Sequence, residues 1–168
     1  MNRLCYFIFD ERRILKEREP LKQGFKLIEF KPSVVSLRKH AGPPLLLYLF
    51  WFLMTKGKYR IYYVVNNEGK IIHYSHVLTK FYKFSFMKKN DMEIGPSWTD
   101  PASRGLGIYP AVIGAIARQY AGRCNIHIFS DEDNNASING IMKAGFRFYG
   151  KGYKKGFFGI YKITEYAK

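Results

Sequence analysis

Cysteine is scarce: the chain has two, Cys5 and Cys124, in 168 residues. Two thiols so far apart suggest neither a disulfide framework nor a metal cluster, and they read as buried thiols of a reducing compartment. Acidic residues are few as well. Thirteen Asp and Glu stand against 28 Lys and Arg, for a net charge of +15. That field disfavours polycationic partners and attracts polyanions: nucleic acid, anionic lipid or phosphorylated small molecules. No apolar run reaches the roughly 20 residues that span a bilayer. Residues 1–9 carry an apolar stretch too short for a secretory leader and lacking a small-residue cleavage site, so the expected location is the cytoplasm. Internal repeats, low-complexity tracts and the paired aromatic motifs of RNA-binding sheets are missing, which argues against a nucleic-acid partner.

What is present suffices for a core. Hydrophobic residues make up 47% and aromatics 17%, and residues 1–168 read as one domain. Apolar and charged residues alternate over 24–31, 59–65 is rich in β-formers, and further strands are expected over 2–9, 70–78, 92–99, 124–129, 146–153 and 157–166. Asn66-Asn67-Glu68-Gly69 reads as a hairpin turn. Gly95-Pro96 should bulge its strand, because proline donates no ladder hydrogen bond. The charged segment 10–19 reads as a solvated helix or loop, and 33–39 as a short helix.

Leu45–Met54, the longest apolar run, is uncharged all round. Such a helix is normally buried, so it is expected in the core or in the wall of a substrate site. Lys56, Lys58 and Arg60 follow it, and the alternative is an interfacial or dimerising helix touching a membrane surface.

The most informative stretch runs from Ile94 to Pro110: a strand, a loop with Arg104-Gly105-Leu106-Gly107, then an apolar helix over 108–121. A glycine loop feeding a helix N-terminus presents backbone N–H groups and the positive dipole end to an anion. Gly105 and Gly107 allow close backbone approach, and Arg104 adds a planar cationic fork. A phosphate cradle is the physical reading; a tight turn with an incidental arginine is the competing one. Further on, Asn134-Asn135-Ala136-Ser137 opens a second helix that ends at Lys143-Ala144-Gly145-Phe146. Asn134 is suited to cap it, and Asp131, Glu132 and Asp133 read as part of that capped start.

Arg-Gly-x-Gly with its helix, a following strand, then Asn-x-x-Ser with Lys-Ala-Gly-Phe, resembles the GNAT superfamily of acetyl-CoA-dependent N-acetyltransferases over residues 93–146. The resemblance implies an α/β (α+β) fold: a mixed, mostly antiparallel central sheet of about six to seven strands, flanked by helices on both faces. It implies acetyl-CoA as cosubstrate, an amine as acceptor and no metal. Trp98 and Thr99 would contact the thioester arm; Arg104, Gly105, Leu106, Gly107, Ile108 and Tyr109 would hold the pyrophosphate; Asn134 and Ser137 would reach the cofactor from the second helix. Two departures stand out. The position where the family often carries an acidic tyrosine is Ile141, which leaves Ser137, Tyr149, Tyr153 or a water as the acid. Tyr109-Pro110 replaces a small residue and a free N–H.

Glu93, on the strand entering the loop, is the leading candidate for the base, since burial can raise a carboxylate toward the working pH; an exposed strand carboxylate is its competing reading. His73 and His76 are rival bases. Three residues apart on a strand they point to opposite faces and make no metal pair. A looser resemblance, through residues 57–64, His73-Tyr74-Ser75 and 105–110, extends to GNAT-like proteins of bacterial surface-polysaccharide gene clusters. It implies a small-molecule acceptor of amino-sugar type, nucleotide-linked. Monomer and homodimer stay open, as does peripheral attachment at the inner membrane face. The alternative in a different class is a non-catalytic basic module for anionic membrane or nucleic acid.

Overall fold

The computed structural model describes residues 3–12, 21, 23–32, 45–155 and 159–167. The helix expected over 33–39 and most of the charged segment 10–19 lie outside the described residues. Eight strands form one sheet: β1 (Arg3–Phe9), β2 (Lys26–Phe30), β3 (Arg60–Val65), β4 (Ile71–Thr79), β5 (Met92–Thr99), β6 (Ile126–Asp131), β7 (Phe146–Lys155) and β8 (Ile160–Tyr166). Their order across the sheet is β2-β3-β4-β5-β6-β1-β7-β8. Every pair is antiparallel except β5 with β6. The count exceeds the expected six to seven because both outermost runs, β2 and β8, join the same sheet as edges.

The helices α1 (Leu45–Met54), α2 (Ile108–Tyr120) and α3 (Asn135–Lys143) divide between the two faces, and β3 shows why. Its side chains alternate. Tyr62 and Val64 join the core under α2, with Val112, Ile113 and Ile116; Ile61 and Tyr63 join a second core with Tyr48 of α1. The Tyr62 hydroxyl donates to Gln119 at 2.9 Å and so ties β3 to α2. Gly114 in mid-helix has a reason in packing. A Cβ there would sit 3.3 Å from the Ala144 carbonyl oxygen, so glycine permits the close approach of α2 to the end of α3.

α1 is buried on one side only. Tyr48 is buried, and Trp51 packs against Tyr59 and His76 with ring centroids 5.4 and 4.9 Å away. Leu46 and Leu53, however, are 79% and 66% exposed. One sheet can cover only one side of a helix, and among the described residues no further layer lies over the other.

The feature that positions the site is the short pairing of β5 with β6. They are in register only at Met92–Ile126 and Glu93–His127. Asp91 ties their bases: one carboxylate oxygen accepts from the Asn125 backbone and side-chain amides at 3.3 and 3.1 Å, and the other from Lys88 N–H at 2.8 Å and His127 Nε2 at 3.2 Å. Burial lowers the His127 pKa against the opposing pull of Asp91, so the ring is neutral and donates. Just beyond this knot, Gly95 and Pro96 together oppose the single residue His76 of β4. This is the bulge expected from Gly95-Pro96. It bends β5 away from β6 and opens the sheet between them.

Candidate functional site

The opened sheet forms a cleft of about 1270 Å³. From Ile94 to Thr99 the edge of β5 facing β6 has no ladder partner among the described residues, so a row of backbone donors and acceptors is presented inside the cleft. Beyond Thr99, a short 3-10 turn (Pro101–Ser103) leads into the glycine loop. Gly105 and Gly107 have φ of +76° and +79°, and a Cβ on either would meet nothing within 4 Å. The loop therefore uses the left-handed backbone that glycine allows and leaves open space before α2. Gly107 is the N-cap of α2, and Ile108 is buried and anchors the turn. Backbone N–H groups from Gly105 to Tyr109 find no acceptor among the described residues; Pro110 adds none. The Arg104 guanidinium is held near the loop by Nε donating to the Thr99 carbonyl at 3.3 Å.

Opposite this loop, the Asn134 side chain accepts from Ser137 N–H at 3.1 Å and caps α3, as its sequence position predicts, and both residues line the cleft. Ser137 Oγ lies 3.4 Å from the Tyr109 hydroxyl. The Tyr109 ring lies over Gly140, where a Cβ would come within 2.7 Å of Cδ1. On the other wall Trp98 stacks on Tyr74 at 5.5 Å, and Thr99 Oγ1 is 2.8 Å from His73 Nδ1.

Three side chains that line the cleft, Glu93, Tyr109 and Tyr161, have pKa values raised by burial. Glu93 is 2% exposed, with no hydrogen bond or ion pair among the described residues. Burial alone pushes its pKa well above the ordinary value. Gly95 leaves it room, since a Cβ there would lie 2.6 Å from Glu93 Oε1. Burial also raises the Tyr109 phenol, to about 12, with the Ser137 hydrogen bond pulling down and the Glu93 charge pushing up. Tyr161, raised by burial and then by the charges of Glu93 and Asp131, faces the cleft among Phe84 and Phe129.

His73 and His76 are placed behind the cleft; neither lines it. His73 has both nitrogens engaged, by Thr99 and by Ser75 Oγ at 2.9 Å, and burial lowers its pKa to about 4. His76 is on the opposite face, bonded to the Tyr59 hydroxyl and stacked on that ring at 5.6 Å; burial lowers it to about 3. Tyr149 packs against His127 and Tyr166, and neither it nor Tyr153 lines the cleft. Ile141 is fully buried in the α2–α3 core. Sequence reasoning missed Tyr161, Phe84 and the space that Gly95 clears for Glu93. The only local signal for the aromatic wall was the density of aromatics in 81–86.

No family model and no curated protein sequence matches the chain. Solved structures do match, and the fold they share with it is that of the GNAT acetyltransferases. One is a GNAT-family acetyltransferase from Colwellia psychrerythraea (TM-score 0.61, 14% identity), aligned over 88% of this chain and 53% of its own. Another is the glucosamine N-acetyltransferase region of a fungal multi-domain GH3 β-N-acetylglucosaminidase (TM-score 0.57, 12% identity, 89% of this chain, 20% of that one). A third is an aminoglycoside antibiotic 6'-N-acetyltransferase from Acinetobacter baumannii (TM-score 0.52, 13% identity, 86% of this chain, 98% of that one). At these identities the likeness is one of fold. The chain spans about half the length of the Colwellia protein.

Proposed function

We propose that this chain is an acyl-CoA-dependent N-acetyltransferase that moves an acetyl group from acetyl-CoA to an amine. The observation that carries the reading is the meeting, in one cleft, of an open glycine cradle, an unpaired strand edge and a buried carboxylate without a partner. The cradle fits a pyrophosphate: its amides have no acceptor among the described residues, its glycines leave open space at a helix N-terminus, and Arg104 stands beside it. The β5 edge fits an amide-bearing arm laid down as an extra strand. Acetyl-CoA would supply a thioester whose carbonyl carbon the amine attacks, the C–N bond forming as the C–S bond breaks.

The chain's own residues would then do three things. Glu93 takes the proton of the acceptor ammonium, directly or through a water. Backbone N–H near Trp98 and Thr99 polarises the carbonyl oxygen. Tyr109 is placed to return a proton to the departing sulfur. Its ring lies on α3 at Gly140, beside Ile141, so α2 delivers a phenol to the helix surface where the resemblance led one to expect a tyrosine of α3. Burial is the main cause of the raised Tyr109 pKa, and proton uptake by Glu93 removes the smaller part that its charge adds, which eases proton donation when the sulfur leaves. Tyr109→Phe keeps the ring packing and should lower turnover roughly 10²-fold with acetyl-CoA affinity retained; unchanged turnover in the folded variant removes Tyr109 from the step.

For the acceptor we propose an amino sugar, nucleotide-linked, in surface-polysaccharide synthesis. The cleft is bordered by aromatic rings and by Lys83, Lys143 and Lys154, which suits a sugar carrying a diphosphate, and two of the similar folds are named for glucosamine and aminoglycoside acetylation. The test is thermal: acetyl-CoA should raise the melting temperature, and thiol release should follow on adding amino-sugar nucleotides. Arg104→Ala should weaken acetyl-CoA binding by about 1–3 kcal/mol, toward the lower end because the side chain is exposed. A melting temperature indifferent to saturating acetyl-CoA overturns the reading.

A further inference from the structure

The exposed face of α1 is unexplained by the cleft. At 100° per residue, Leu53, Leu46, Phe50, Met54 and Leu47 fall on one arc of about 120°. Leu46 and Leu53 are its most exposed members, while Tyr48, Trp51 and Thr55 occupy the opposite, inward arc. No polar side chain interrupts the outer arc. A contiguous apolar stripe left in water is unusual and marks a docking surface.

Its rim is cationic. Lys56 and Lys58 follow the helix and are exposed, as is Lys80. Lys83 lies 5.6 Å over the Phe50 ring, and Phe81 meets the same ring edge-on at 6.4 Å, so the connection from β4 to β5 flanks the stripe. Tyr82, 49% exposed, lies beside Lys83. None of these four lysines is in an ion pair among the described residues. An apolar stripe edged by unpaired lysines and an interfacial tyrosine complements a surface that is oily below and anionic above. A second copy of this chain would bring further cations, not the anionic surface that these lysines complement.

We propose that α1 docks the protein on an anionic lipid surface, its outer arc in the headgroup–acyl boundary and its lysines among the headgroups. The helix lies on the membrane and does not cross it. Ten residues rise about 15 Å, half the hydrocarbon thickness, and among the described residues no helix is long and apolar enough to span. The inward arc carries Trp51 and borders the cleft, so docking would set the cleft mouth beside the bilayer. The inference does not depend on the acetyltransferase reading, and its test uses no activity.

The full chain is sedimented with vesicles of phosphatidylcholine alone or mixed with phosphatidylglycerol. Binding is expected with the mixed vesicles only, weakening as salt is raised. Leu46→Asp combined with Leu53→Asp should lower the partition coefficient at least about tenfold, and Lys56→Ala or Lys58→Ala about fivefold each. Both leucines are exposed, and an unchanged melting temperature verifies the fold. Failure to bind the mixed vesicles, or undiminished binding by the double variant, overturns the proposal. So does a lipid-free dimer that the double variant dissociates, which would assign the face to a second copy.

Discussion

Glu93→Gln is expected to lower turnover by about 10²–10⁴-fold with a working amine acceptor while leaving acetyl-CoA affinity nearly unchanged. The side chains are the same size, and the space cleared by Gly95 serves either. What changes is, among the described residues, the only buried carboxyl in the cleft, placed away from the phosphate loop. Burial raises its pKa in the folded state, which sets the direction of two pH effects. In the parent, the rate should climb as Glu93 ionises; the variant should lack that limb, and its deficit should shrink at high pH, where the amine arrives already deprotonated. Stability should move the other way. A carboxyl whose folded pKa is raised contributes most below its unfolded value, 4.5, and that contribution is lost as pH rises through the folded pKa. Gln cannot ionise, so the variant should melt higher than the parent at neutral pH and the gap should close toward pH 4.5. A pH–rate profile that overlays the parent's would eliminate Glu93 as base; a melting gap independent of pH would show that its carboxyl is not held protonated by burial.

Gly107→Val should abolish measurable acetyl-CoA binding, a loss of more than roughly 100-fold. Two effects coincide at this residue. Its φ of +79° is disfavoured for any side chain with a Cβ and most for a β-branched one, at about 1–2 kcal/mol for the backbone alone. For a chain of this length that corresponds to a melting temperature lower by about 2–8 °C, so the protein should remain folded. The new side chain would also project into open cleft space, where the phosphate must approach. Gly107→Ala separates the two, carrying similar backbone strain with less bulk, and should keep part of the affinity. The check is titration of acetyl-CoA by calorimetry on the three proteins. Parental affinity in the valine variant would mean that the loop holds no phosphate.

Much of this architecture was legible before any coordinates. The strand Tyr59–Val65 is rich in β-formers, 24–31 alternates apolar and charged residues, and the Asn66–Gly69 turn uses Asn66 Oδ1 to accept from the Glu68 and Lys70 amides. Gly95-Pro96 foretold the bulge, because proline lacks the donor that an even ladder needs. Asn134 foretold its cap, and Gly105 and Gly107 the left-handed loop. Each of these is a relation among residues a few positions apart, and local backbone chemistry is enough to decide it.

The tertiary structure alone decided the rest. Tyr109 and Ser137 are 28 residues apart, and only the close packing of α2 on α3, permitted by Gly114 and Gly140, brings the phenol to the second helix. His73 and His76 were candidate bases by residue type; the register of β4 against β5 and β3 surrounds one with hydroxyls and the other with aromatic rings. Tyr161 reaches the cleft because β8, at the far edge of the sheet, meets the connection after β4. The outer arc of α1 stayed exposed because a uniformly apolar helix has no moment to say which side will be covered. That choice belongs to the sheet beneath it, whose aromatic face offers one contact surface and leaves the opposite side of the helix in solvent.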